Sequence, residues 1–278
     1  MLYPGDAGPT ASATRPASAA ARHLPPMLLH ERTWPEIAAL PRTTPVILPV
    51  AAVEQHGHHL PLFTDSLLLG EIVRRLEADL GDDALVAPLQ WLGNSDHHLD
   101  FAGTLSAPPR VYLDLLSGLL ENVIAHGFTR ILLLNGHGGN DVPAKQAVFE
   151  VRQRHRGRAD LLLLAATYWS LGGRPWETMP ALYQREMGHA CEWETSMMLV
   201  IDPRLVGDHL AAAPVPHGNP FLPAARGWIT KDRTVPGHIG SPHLATAEKG
   251  EHLLATFAAD AAALARRMIR WDGASWEG

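Results

Sequence analysis

Cysteine occurs once in the 278 residues, at Cys191. A lone thiol excludes an intramolecular disulfide framework and points to a reducing, cytoplasmic setting. Long apolar runs are missing as well: no window reaches the ~18 uninterrupted apolar residues of a membrane span. The segment 1–26 is rich in Ala, Pro, Ser, Thr and Gly. It lacks the compact apolar stretch of a secretory signal and reads as a disordered or loosely packed tail. Charge of one sign is nowhere concentrated, and the formal net charge is only -6. That excludes the basic footprint of a nucleic-acid surface and a patch for anionic membranes. Two catalytic signatures are also absent, the Gly-x-Ser-x-Gly elbow of serine hydrolases and the Gly-Lys-Ser/Thr ending of a phosphate-binding loop.

What is present is chain enough for a full core and a strand–helix alternation. The apolar runs 46–53, 85–89, 131–134 and 161–166 read as buried strands. Between them, 66–80, 110–126 and 141–156 carry apolar residues at helical spacing, and 245–271 closes the chain as an alanine-rich helix. Within 28–40, Trp34, Ile37 and Leu40 fit helical spacing, with Pro35 tolerated in a first turn. Strand–helix alternation predicts an α/β fold with a mainly parallel sheet flanked by helices. With no repeat and no linker after the tail, 27–278 is expected to form one domain. The stretches 93–104, 169–187 and 211–243 are polar or rich in Pro and Gly, and loops of that length are often functional.

The chemistry-bearing residues fall beyond the strand ends. Glu54, His56 and Asp65 lie within twelve positions after strand 46–53. In an extended strand end, positions i and i+2 share a side, so Glu54 and His56 face one pocket and the 57–64 loop returns Asp65 to it. Asp65 also stands where a helix N-cap belongs, a role compatible with binding. Carboxylates mixed with imidazole suit a divalent metal such as Zn or Mn. His137 sits in a glycine loop after strand 131–134, where an open α/β sheet gathers ligands. The third cluster is His189, Glu192 and Glu194. If the helix there begins near Ala190, His189 and Glu192 share a face and Glu194 points away. Spacing therefore selects Glu192. His98 and Trp169, in the loops, are candidates to line a substrate pocket.

Three motifs carry a resemblance: Glu54-Gln-His-Gly-x-His-Leu-Pro-x-x-x-Asp65, Asn135-Gly-His-Gly-Gly-Asn140 and Gly188-His-Ala-x-Glu-x-Glu-Thr-Ser196. Together they resemble the creatininase family, and weaker echoes at 95–104 and 240–250 extend the likeness over 28–270. The resemblance implies a layered α/β fold and a metal-dependent hydrolase with two divalent ions, Zn or Mn, in a homohexamer. It implies Glu54, His56, Asp65 and His137 as ligands, Asp65 bridging, and His189 beside the scissile amide. In creatininase proper a glutamate two positions after the glycine-loop histidine is a further ligand, and the residue before it is aromatic. Here those positions are Gly139 and Gly138, both placed near the substrate. Relatives with the Gly-Gly loop take the glutamate from the His-Ala-x-Glu segment, which again selects Glu192. The implied function is hydrolysis of a C–N bond in a small amide, cyclic or formyl, by a metal-activated water. The alternatives are creatinine hydrolysis itself, peptide trimming as in mycofactocin maturation, and a non-catalytic metal-binding protein.

Overall fold

The computed structural model describes residues 26–221 and 223–276. Apart from Pro26, the expected tail 1–26 lies outside the described residues. Five strands form the sheet: β1 (Met27–Leu28), β2 (Val46–Val50), β3 (Leu85–Val86), β4 (Arg130–Asn135) and β5 (Leu162–Thr167). The helices are α1 (Trp34–Ala39), α2 (Thr64–Leu80), α3 (Pro109–Ala125), α4 (Asp141–Arg154), α5 (Pro175–Thr178), α6 (Glu192–Ile201) and α7 (Ala247–Arg270). The sheet order is β1-β3-β2-β4-β5, and every pairing is parallel. The expected α/β class with a parallel sheet is what the chain adopts.

Alternation along the strands explains the layers. Successive side chains of a strand point to opposite faces. Ile47, Leu132 and Leu134 pack with Leu68, Leu69, Ile72, Trp193, Leu253 and Phe257, so α2, α6 and α7 cover one face. Val46, Leu48, Ile131 and Leu133 pack with Tyr112, Leu116, Leu120, Ala144 and Val151, so α3 and α4 cover the other. Strands covered on both faces carry near-continuous apolar sequence, which is why these runs were readable. Gly250 lets α7 lie against α6, since a Cβ there would stand 1.9 Å from the carbonyl oxygen of Ser196. Among the described residues no helix is long and apolar enough to cross a membrane.

The register fixes where chemistry can gather. Val50 pairs with Asn135 and Asn135 with Thr167, so three strands end level at their carboxyl side. The segments that leave this edge carry Glu54, His137 and Trp169. Some expected boundaries change. The predicted strand 46–53 ends at Val50, and 51–53 continue only through an isolated bridge of Val53 to Leu105. The predicted strand 85–89 shortens to Leu85–Val86. The helical spacing of Trp34, Ile37 and Leu40 is met by α1, which begins at Trp34 after extended backbone at Arg32 and Thr33. Helix α2 starts at Thr64, so Asp65 is a first-turn helical residue and not the cap.

Candidate metal centre

Beyond the level strand ends the structure brings together Glu54, His56, Asp65, His137, His189 and Glu194. His56 Nε2 lies 3.2 Å from Asp65 Oδ1 and 3.8 Å from Glu194 Oε1. His137 bridges the other two carboxylates, with Nδ1 2.9 Å from Asp65 Oδ2 and Nε2 3.3 Å from Glu54 Oε2. Glu54 Oε1 faces His98 Nε2 at 3.3 Å and His189 Nδ1 at 3.6 Å. Glu54, His56, Asp65, His137 and Glu194 are buried. Four overlapping groups of three residues bring ligand atoms within 4.8 Å of one another: Glu54, His56 and Asp65; His56, His189 and Glu194; Glu54, His98 and His189; and Glu54, His97 and His137.

Local structure aims these groups. Glu54 and His56 follow β2, and His56 Nδ1 donates to the Glu54 carbonyl at 3.1 Å, turning Nε2 toward the carboxylates. Asn135 holds the His137 loop: its Oδ1 accepts from the His137 amide at 3.0 Å and its Nδ2 donates to the His137 carbonyl at 2.7 Å. His189 lies outside any helix and pairs with Ile239 in an antiparallel bridge. Ala190 then takes φ +46°, an uncommon conformation for a residue with a Cβ, and α6 begins two residues later.

This turn corrects the expected partner of His189. Glu192 does not face the cluster. Its Oε1 pairs with Lys249 Nζ at 2.6 Å, and its Oε2 accepts from the Tyr183 and Gln184 amides at 3.1 and 2.8 Å. Helical spacing had been extended one turn too far back. With His189 off the helix, the wheel relating it to Glu192 has no meaning, and Glu194, in the first turn of α6, points into the centre.

Gly139 shows why the centre's carboxylate comes from α6. A Cβ at 139 would stand 2.1 Å from the Asn94 carbonyl oxygen and 2.5 Å from His137 Nε2, so no glutamate fits there. Gly138 is different, because a Cβ would meet nothing within 4 Å. The open cleft of about 590 Å³ above the centre is lined by Gly138, Gly139, Trp169, His98 and His189, so the expected substrate-side residues share one cleft. His97, Trp228, Arg226 and Arg233 line it too. No spacing in the sequence marks the two arginines. Gln55 was also missed. Its Nε2 donates to His98 Nδ1 at 2.8 Å and to the Gly237 carbonyl at 2.9 Å, and its backbone carbonyl accepts from His189 Nε2 at 2.7 Å, so one residue fixes two imidazoles of the cleft. Its position beside Glu54 in the motif was the one available hint.

The electrostatics are those of compensated buried charge. Burial opposes charge on His56, but Asp65 and Glu194 outweigh it and hold this imidazole well above its usual range. Burial likewise opposes charge on His137, and Glu54 and Asp65 override it. For Glu54 the imidazoles of His137 and His98 overcome burial and hold the carboxyl well below the usual range. Glu194 goes the other way, since burial pushes it up more than His56 pulls it down. Burial, with His56 and His98 nearby, drives His189 well below its usual range, so it is neutral. Glu54 Oε2, His56 Nε2, Asp65 Oδ2 and Glu194 Oε2 are buried and make no well-formed hydrogen bond, although the His56 and His137 nitrogens stand 2.9–3.8 Å from the carboxylates. Buried polar atoms left without good hydrogen bonds are rare in folded proteins. Carboxylates and imidazoles packed so closely, with ligand atoms of each group within 4.8 Å of one another, fit a divalent cation.

An open parallel α/β sheet with a mixed carboxylate and imidazole cluster beyond its strand ends defines a candidate metallohydrolase class. The comparisons identify the branch. The family model for creatininase, described as creatinine amidohydrolase, matches residues 30–265. A creatinine amidohydrolase of Pseudomonas putida is 30% identical over 246 residues, covering 81% of this chain and 90% of that one. A mycofactocin precursor peptide peptidase of Mycolicibacterium smegmatis is 30% identical over 232 residues, covering 82% and 85%. A solved creatininase described with Mn superposes with a TM-score of 0.75 at 27% identity, covering 88% of this chain and 100% of that one. The chain belongs to the creatininase family of amidohydrolases.

Proposed function

We propose that the protein hydrolyses a C–N amide bond with two divalent metal ions, Zn or Mn, which Glu54, His56, Asp65, His137 and Glu194 would hold. The observation that carries this reading is a buried cluster of carboxylates and imidazoles whose overlapping groups bring ligand atoms within 4.8 Å of one another. Solved relatives described with Mn and as a Zn–Zn type support the choice of ions. When bound, the metals supply an activated water and polarise the amide carbonyl.

The remaining work falls to the chain's own residues. The Nε2 of His189 lies 2.7 Å from the Gln55 carbonyl and donates its proton there, which leaves Nδ1 with a free lone pair toward Glu54. A neutral, oriented imidazole in this position takes the proton of the attacking water and returns it to the leaving nitrogen. His98, held by Gln55 and by Thr230 Oγ1 at 2.9 Å, forms the side of the cleft against which the substrate rests. Gly138 and Gly139 keep the lining low, and Trp169 adds an aromatic surface. The proposal extends to a cytoplasmic homohexamer with one hydrolase domain over 27–278. Sizing chromatography tests the assembly, and elution at the mass of one chain refutes it.

The preferred substrate is a small amide, cyclic or formyl. A second reading is peptide trimming, as named for the mycobacterial relative. It is favoured by a cleft of about 590 Å³, more than a single small heterocycle fills. Creatinine, a lactam, a hydantoin, formamides and short peptides offered to Zn- or Mn-loaded protein decide among them. Hydrolysis of one class, abolished by chelator and restored by metal, is the expected result. Metal binding with no hydrolysis across the panel would leave a non-catalytic metal protein and refute the enzyme reading.

A further inference from the structure

The long 211–243 segment delivers two cations to the cleft that holds the metal centre. Arg226 and Arg233 line it together with Glu54, Asp65 and His189. The Arg233 guanidinium sits 4.9 Å from the centre of the Trp228 ring. Trp228 meets His97 edge-on at 5.1 Å, and His97 stacks 5.9 Å from His137. One continuous wall therefore runs from a residue of the metal centre, through an imidazole and an indole, to a guanidinium.

These arginines lack the carboxylate partner that several others in the chain have. Arg75, Arg158, Arg204 and Arg266 each pair with a carboxylate at 2.7 or 2.8 Å. Among the described residues Arg226 and Arg233 have no carboxylate partner, and the polar contact of Arg233 is the Gly218 carbonyl at 3.5 Å. The nearby acids are committed. Glu186 pairs with His217 at 2.7 Å, and Asp232 accepts from the Ile229 amide at 3.2 Å. Burial pulls Arg233 below the usual guanidinium range, as expected of a half-buried cation without a counter-charge. A guanidinium resting over an aromatic ring leaves its N–H edges free for an anion, and arginine binds carboxylate and phosphate through that fork.

We propose that the substrate carries an anionic group, a carboxylate or a phosphate ester, several bonds from the scissile amide, and that Arg233, backed by Arg226, binds it. This rests on the amidohydrolase reading and narrows its substrate class: a neutral heterocycle alone leaves the far end of the cleft unpaired.

Straight-chain dicarboxylates from glutarate to suberate, each compared with the monocarboxylate of the same length, test the proposal by calorimetry on zinc-loaded protein. One carboxylate serves the centre in both members of a pair, and only the dicarboxylate reaches Arg233. At least one length is expected to bind about 10–100-fold tighter than its monocarboxylate, the worth of one charge-assisted hydrogen bond. Arg233→Ala should abolish the gain, and Arg233→Lys should keep part of it. A gain confined to ω-phosphonocarboxylates would assign the group to a phosphate ester. No gain at any length, or a gain that survives Arg233→Ala, overturns the proposal. Zinc stoichiometry is read separately. A protein that takes no zinc refutes the metal centre, while phosphate binding by wild type against Arg233→Ala still decides the anion site, equal binding overturning it.

Discussion

Glu192 and Glu194 stand two residues apart on one helix, and the structure gives them opposite work, so Glu→Gln at each should produce crossed results. Glu192 is fully buried and paired with Lys249, which is itself only 11% exposed. Glutamine there would set an amide donor against an ammonium donor while keeping the acceptor for the Tyr183 and Gln184 amides. Breaking a buried pair by changing one partner costs about 3–5 kcal/mol. At about 2–4 °C per kcal/mol for a chain near this size, the melting temperature should fall by roughly 6–20 °C. Metal content per folded chain should not change. Glu194→Gln removes a carboxylate from the buried cluster it shares with His56 and His189. Altering a residue that merely supports a metal ligand typically costs 10–100-fold in affinity, so losing the carboxylate should cost more than about 100-fold. Burial already disfavours the Glu194 anion, so a neutral isostere should shift the metal-free melting temperature less than Glu192→Gln does. Calorimetric melting of chelator-stripped protein and zinc stoichiometry after equilibrium dialysis read the two effects separately. Zinc lost by Glu192→Gln and retained by Glu194→Gln would refute the placement of both carboxylates.

Gly139→Ala should weaken zinc binding by about tenfold or more, because its Cβ displaces the Asn94 carbonyl and His137. Gly138→Ala, entering open space, should leave zinc affinity unchanged, and equal losses in equilibrium dialysis would count against the clash. His189→Ala should keep metal and cut turnover by about a hundredfold or more; unchanged turnover on the best substrate of the panel removes His189 from the reaction. Metal uptake should release protons, since His56 and His137 are held above their usual range and a metal needs neutral imidazole. The sign follows directly: these imidazoles carry protons at neutral pH in the metal-free fold, so zinc affinity should rise with pH. Titrations in buffers of different ionisation enthalpy measure the release, and a pH-independent affinity with no release refutes it.

Much of the fold was legible because its strands are covered on both faces. Ile131 to Leu134 must be apolar at every position, and such runs stand out. The short α1 was legible too, from Trp34, Ile37 and Leu40 at helical spacing with Pro35 at home in the first turn. At the site, Glu54, His56 and His137 could be brought together in advance because each sits a few residues beyond a strand end, and Asp65 because the 57–64 loop can return the chain to the same pocket at the start of α2. The choice of Glu192 failed for a local reason. A helical wheel holds only inside the helix, and a left-handed turn at Ala190, a residue with no special liking for it, cuts His189 away from α6. Arg226 and Arg233 lay beyond sequence reasoning because a segment with little regular structure has no period from which to place a side chain.

Asp65 and Glu194 share one more property: each lies in the first turn of its helix, α2 and α6. A helix carries roughly half a positive unit charge at its amino end from its unsatisfied amides. Two such ends converge on the centre, and each favours the carboxylate beside it by about 0.3–1 kcal/mol at the surface and up to ~2 where partly buried. Part of the positive charge that balances the buried anions is therefore carried by peptide groups. No side-chain substitution removes it. The carboxylates stay partly neutralised before any cation arrives, so the centre can assemble with the fold and wait for its metal.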